Sequence, residues 1–132
     1  MNSLRIEATD DSPFINFDIV SNHFMVSGES RPENASKFYS PIIKWLNEYE
    51  TFFLENKKDV KSLIFAFKLN YFNSSSAKYI MDIMIILKKF IDKSYKIEIE
   101  WHYDKRDEDM LEAGKEFAGK FYSNIEMKMI EY

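Results

Sequence analysis

Cysteine is absent from this 132-residue chain. That removes disulfides, a thiolate nucleophile and cysteine metal sites, and it suits a reducing compartment. Three glycines and three prolines leave little scope for long irregular loops, and no glycine-rich phosphate loop is present. No apolar run approaches the ~20 residues of a membrane span. The opening Met1-Asn2-Ser3-Leu4-Arg5-Ile6-Glu7 lacks the apolar centre of a signal peptide, so a cytoplasmic protein is expected, with no membrane partner. Basic residues never run beyond two, and the net charge is −4, so no nucleic-acid surface is expected. Two histidines, His23 and His102, sit on separate strand-like runs without spaced carboxylates, a poor metal pattern. Neither a metal nor a cofactor is expected.

What the chain does have is a core. Apolar residues make up 45% and aromatics 17%, enough for one domain spanning 1–132. The weak boundary near Ser27 to Asn34 would cut off too small a piece to stand alone. Strands are expected at Leu4 to Ala8, Phe14 to Val20 and His23 to Ser27, the last two joined at Ser21-Asn22 as a hairpin. A helix follows from about Asn34 to Glu55, with Phe38, Ile42, Trp45, Tyr49 and Phe52 as its apolar stripe. Pro41 should kink it or mark a second start capped by Ser40. The run from Val60 to Tyr71 is nearly continuous apolar at its start, which predicts burial on both faces. Tyr95, Ile97, Ile99, Trp101 and Tyr103 alternate with polar residues, so that strand shows one face to water. A helix from Asp107 to Phe121, with Met110, Leu111, Phe117 and Phe121 inward, and a strand at Ile125, Met127 and Met129 complete the chain. Strand–helix–strand units imply parallel pairs with right-handed crossovers. The fold class is α/β, a mixed sheet with helices mainly on one face.

Asn73-Ser74-Ser75-Ser76-Ala77-Lys78 stands where the central strand hands over to a helix reaching Asp92. The first helical turn has unpaired N–H groups and the positive end of the dipole. The run reads as an ordinary cap, since serine and asparagine are preferred there, or as a phosphorylation site, since an anion is favoured at the same place. In the helix itself, Ile80, Ile83, Met84, Leu87, Phe90 and Ile91 form the inward stripe, while Met81 and Ile85 fall on its flank or outer face and form a candidate partner patch. The charged run Asp104 to Asp109 is a loop and helix start, or a docking surface. No acidic pair can be shown to converge and Ser74 has no evident base, so an enzyme is not expected.

Tyr71 to Lys78 followed by Met81-Asp82-Ile83 resembles the core motif of the SiaC family of bacterial regulatory phosphoproteins. Gly28-Glu29-Ser30-Arg31-Pro32-Glu33-Asn34 and Trp101-His102-Tyr103-Asp104 agree with it, in the expected order. The resemblance implies a fold of the STAS type, like anti-sigma-factor antagonists. It implies phosphorylation at Ser74, where the family carries threonine, with Ser75 and Ser76 as alternatives. It also implies a Ser/Thr kinase with a histidine-kinase-like ATPase fold, a PP2C-type phosphatase and an effector bound in the unmodified state, by resemblance a diguanylate cyclase that raises cyclic-di-GMP. The expected partner surface is Asn73, Lys78, Met81 and Ile85. The rival expectation is a STAS-like module holding a small nucleotide or other anion at the same helix N-terminus.

Overall fold

The computed structural model describes residues 1–56, 62–121 and 127–132. Among them the elements run β1 (Leu4–Ile6), β2 (Phe14–Asp18), β3 (His23–Ser30), α1 (Ala35–Asn56), β4 (Leu63–Phe72), α2 (Ser74–Asp92), β5 (Ile97–Tyr103), α3 (Glu108–Phe121) and β6 (Met127–Glu131). Val60 and Ile125, expected in strands, lie outside the described residues, as does the side chain of Phe121.

The six strands form one sheet in the order β1-β2-β3-β4-β5-β6. β1–β2 and β2–β3 are antiparallel, and the three remaining pairs are parallel. Each parallel pair is joined by a helix, and every crossover steps the same way across the sheet. Crossovers of one hand stepping one way put all three helices on one face. The register gathers the buried side chains on that face: Phe17 opposite Phe24, Phe24 beside Phe65, Phe65 beside Ile99, with Ile15, Val26, Phe67 and Trp101 in the next row. All of these are buried.

Among the described residues the other face carries no helical layer, which corrects the expectation that β4 is buried on both sides. Leu63, Phe65, Phe67 and Leu69 point into the core. Of the alternating residues, Lys68 and Asn70 are exposed and Ile64 is half-buried. Ala66 is buried because it is small and lies between Met25 and Glu100 in the register. The end of β4 breaks its alternation. Gly28 pairs with Leu69 but Glu29 pairs with Tyr71, so Asn70 has no counterpart on β3. Such a bulge reverses which residues face inward. Tyr71 is therefore exposed, and Phe72 turns in against Trp101 and Phe117. Gly28 adopts φ of +99° at the irregularity, a conformation that costs glycine little.

The buried stripe of α1 is Tyr39, Ile42, Leu46, Tyr49 and Phe53. The expected stripe was rotated: Phe38, Trp45 and Phe52 are half-buried flanking residues. Both stripes share Ile42 and Tyr49 and have the same mean spacing, so spacing alone does not separate them; the buried face is centred on the Tyr39 side. Pro41 lies inside the single helix, so no second helix starts at Ser40. In α3, Met110 and Phe117 are buried and Leu111 is half-buried.

Candidate functional site

Each strand-to-helix handover among the described residues is closed by an Asx side chain. Asn34 Oδ1 accepts from Lys37 N at 3.0 Å, Asn73 Oδ1 from Ser76 N at 2.9 Å and Asp107 Oδ1 from Met110 N at 3.0 Å. Each satisfies a donor that the first helical turn cannot. Asn73 is the N-cap of α2 with extended backbone (φ −88°, ψ 174°), and its own N–H donates to the carbonyl of Ser30 at 3.0 Å. Ser74, Ser75 and Ser76 thus fill the first three positions of the helix.

At 100° per residue these serines point three ways. Ser76 lies on the line of Ile80, Ile83, Leu87 and Phe90 and is fully buried with them. Ser75 lies on the flank toward α1 and is exposed. Ser74 lies almost opposite Ser76 and is exposed. The same outer line carries Lys78, Met81 and Ile85 at 4-3-4 spacing. The structure thus brings Ser74, Lys78, Met81 and Ile85 onto one helix face, with Asn73 at its end. Ile85 is 39% exposed. Met81 is half-buried and leans toward α3, lining a 210 Å³ cavity with Phe72, Ala77, Ala113 and Phe117.

On the α1 side, Ser75, Lys78 and Tyr79 border a 1120 Å³ cleft with Asn34, Phe38 and Pro41. The Lys78 ammonium sits 5.0 Å from the Tyr79 ring centroid, and Tyr79 stacks on Tyr39 with centroids 5.3 Å apart and rings 5° from parallel. Beneath the turn, Ser76 Oγ donates to the Ser30 carbonyl at 3.0 Å, and Ser30 Oγ donates to Ser76 Oγ at 2.8 Å. Ser30 Oγ also bonds the Tyr39 phenol. Burial raises the Tyr39 phenol above its ordinary pKa, against the lowering effect of its serine partners. Sequence reasoning missed the burial of Ser76, although it stands four and seven residues before Ile80 and Ile83 on their stripe. No sequence signal pointed to Ser30 or Tyr39 as its partners, because they are 46 and 37 positions away.

The remaining candidates lie apart. His102 Nε2 contacts Glu100 Oε1 at 3.0 Å on the helix-free face, and no group of three or more acidic or histidine side chains able to hold a metal occurs among the described residues. Asp104 receives three hydrogen bonds from Arg106, two from the guanidinium and one from the backbone. They hold its carboxyl at a pKa of about 2. The Asp104–Asp107 segment is thus a self-paired loop leading into a capped helix.

The model of the SiaC family of regulatory phosphoproteins matches residues 6–132. The chain belongs to that family. It is 30% identical over 117 residues to an uncharacterised protein of Pseudomonas aeruginosa strain UCBPP-PA14, covering 89% of this chain and 88% of that one. Its fold matches the crystal structure of the diguanylate cyclase SiaD in complex with its activator SiaC from Pseudomonas aeruginosa, at TM-score 0.84 and 26% identity over 98% of this chain and 99% of the matched one. It also matches apo-SiaC of that species at TM-score 0.76 and 26% identity, over 99% and 98% of the two chains. The mixed α/β architecture and the regulatory phosphoprotein family expected from the residues are therefore both met. Among the described residues no helix is long and apolar enough to cross a membrane.

Proposed function

We propose that this chain is a non-catalytic cytoplasmic regulator that binds and activates a diguanylate cyclase through the outer face of α2, and that phosphorylation of Ser74 switches the binding off. The observation that carries this is the division of the three serines: Ser76 is fully buried, whereas Ser74 is exposed in line with Lys78, Met81 and Ile85. A hydroxyl in the core offers a kinase nothing to reach, while Ser74 presents its hydroxyl at the head of the docking stripe. The matched SiaC structure, solved with a diguanylate cyclase, supports the kind of effector. A Ser/Thr kinase of histidine-kinase-like ATPase fold adds the phosphate and a PP2C-type phosphatase removes it.

The physics favours an effect on binding over one on folding. A phosphate adds about −1.5 to −2 charges. At the first turn of α2 the helix dipole stabilises it, and Lys78 follows one turn later on the same face. The domain therefore tolerates the modification. A partner seated on that face must instead desolvate a dianion or supply a cation, and the former costs several kcal/mol.

The experiment is a calorimetric titration of a diguanylate cyclase with the unmodified, Ser74→Ala and Ser74-phosphorylated proteins. Unmodified and Ser74→Ala proteins bind alike, and the phosphorylated form binds at least tenfold more weakly. Equal or tighter binding by the phosphorylated form reverses the switch. Phosphate incorporation that persists in Ser74→Ala and disappears in Ser75→Ala moves the acceptor to the cleft side.

A further inference from the structure

Ser30, Tyr39 and Ser76 are all 0% exposed, and they belong to three different elements: the end of β3, the second turn of α1 and the first turn of α2. Their protons can be assigned in sequence. Ser76 Oγ has one proton and donates it to the Ser30 carbonyl at 3.0 Å. Ser30 Oγ then donates to Ser76 Oγ at 2.8 Å. The Tyr39 phenol is left to donate to Ser30 Oγ. The chain Tyr39–Ser30–Ser76 therefore runs one way and ends on a backbone carbonyl. That same carbonyl accepts the N–H of Asn73, the residue whose side chain caps α2. Every hydroxyl in the chain has a partner, as burial requires, and each bond polarises the next.

A helix cap alone does not need this. Asn73 already satisfies the Ser76 N–H, and an alanine at position 76 would continue the apolar stripe of Ile80 and Ile83. A polar side chain at the centre of a buried stripe costs stability unless it is bonded, and here its two bonds both reach β3. The stacking of Tyr79 on Tyr39 adds a second tie between α1 and the start of α2.

We propose that Tyr39, Ser30 and Ser76 form a buried hydroxyl latch that fixes the first turn of α2 to β3 and α1 and so holds the Ser74 face in its binding conformation. They are positioning residues, acting through Asn73 and the turn that carries Ser74. The inference rests on the reading of that turn as the switch, but its test requires neither kinase nor effector.

Amide hydrogen exchange on the whole protein separates a latch from ordinary packing. The amides of Ser76 and Ala77, bonded to Asn73 Oδ1 and Asn73 O, report opening of the turn. Ser76→Ala speeds exchange at Ala77 roughly two- to tenfold, the range of one net hydrogen bond. Tyr39→Phe, a substitution on α1 that removes one oxygen, speeds exchange at both Ser76 and Ala77 at least about twofold, with little change at Phe65 and Phe67. The double variant opens the turn less than the two single effects multiplied together, because they act on one chain. A Tyr39→Phe effect confined to α1, or spread evenly over β4 and α2, overturns the latch. That exchange result would leave the reading of Ser74 as the switch standing, and failure of the Ser74 titration would leave the exchange result standing.

Discussion

Two glycines of α3 face opposite fates on substitution by alanine. In a helix interior the exchange ordinarily stabilises by about 0.5–1 kcal/mol, because glycine loses more backbone freedom on folding. Among the described residues nothing lies within 4 Å of the position the Gly119 Cβ would take, and its backbone is helical. Gly119→Ala should therefore gain that amount. At Gly114 the same methyl would stand 2.4 Å from Cδ1 of Trp101 and 2.6 Å from its Nε1, at least about an ångström inside van der Waals contact. The indole cannot retreat cheaply. It is 1% exposed, packs on Phe67 and Phe117, and its Nε1 donates to the Met110 carbonyl at 3.0 Å. Overpacking of this kind costs about 1–3 kcal/mol. The short distance and the pinned ring place it at the upper end, so about 2 kcal/mol remains after the helix gain. For a domain of this size that is a fall in melting temperature on the order of 10 °C, against a rise of a few degrees for Gly119→Ala. Urea unfolding followed by circular dichroism measures both. A Gly114→Ala protein as stable as the parent would refute the close approach of α3 to β5. A shift of α3 would also move Ala113 and Phe117, which wall the cavity beside Met81, so the same variant should lose effector affinity.

Tyr49 is fully buried and its hydroxyl finds no hydrogen-bond partner among the described residues, so Tyr49→Phe should raise stability by about 1 kcal/mol, the low end of the cost of an unmet buried donor; an unchanged or lower melting temperature would contradict the orphan hydroxyl. Burial also pushes the Tyr49 pKa up to about 12, above the ordinary phenol value of about 10 in the unfolded chain. The folded state therefore holds this proton more tightly: its contribution is fully present below pH ~10 and is lost as pH rises toward 12, and the phenylalanine variant should show a shallower alkaline loss in pH-dependent denaturation. Asn73→Ala removes the cap of α2 and should cost about 1 kcal/mol, with faster amide exchange at Ser76 as its local signature. Ile85→Asp should weaken effector binding with little change in melting temperature, whereas Met81→Asp should weaken binding and also lower stability, because Met81 is half-buried against the core; equal thermal stability of the two would remove the distinction between face and flank.

Alternation and helical spacing made most of this fold legible in the sequence. β5 was readable because Ile99 and Trp101 alternate with Glu98, Glu100 and His102, and α2 because Ile80, Ile83, Leu87 and Phe90 repeat at helical spacing. What escaped was set by packing partners far along the chain. An apolar run such as Leu63-Ile64-Phe65-Ala66-Phe67 cannot say whether its second face meets a helix layer or only the side chains of flanking strands. The aromatics of α1 were ambiguous because Phe38 and Tyr39 are both able to lead a stripe of the same spacing; in the structure Tyr39 is the buried one and stacks on Tyr79. At the site, local signals gave Asn73 as a cap and the outward placement of Ile85. The different fates of three identical serines follow from helical spacing to Ile80 and Ile83 and were there to be read, but Ser30 as the partner of Ser76 was not, because the β4 bulge that brings Ser30 beside Phe72 leaves no mark in the local pattern.

The strand order of the sheet repeats the order of the chain. Every strand pairs only with those that come just before and after it, so no pairing waits for a segment from the far end. Loop closure is confined to one hairpin or one crossover at a time. Synthesis runs from the N-terminus, so each new strand meets an edge already built. When Asn73 and the serines leave the ribosome, Ser30 has preceded them by 43 to 46 residues of chain growth and Tyr39 by 34 to 37. The turn that carries Ser74 can then dock onto a waiting acceptor as it forms, before α3 and β6 exist.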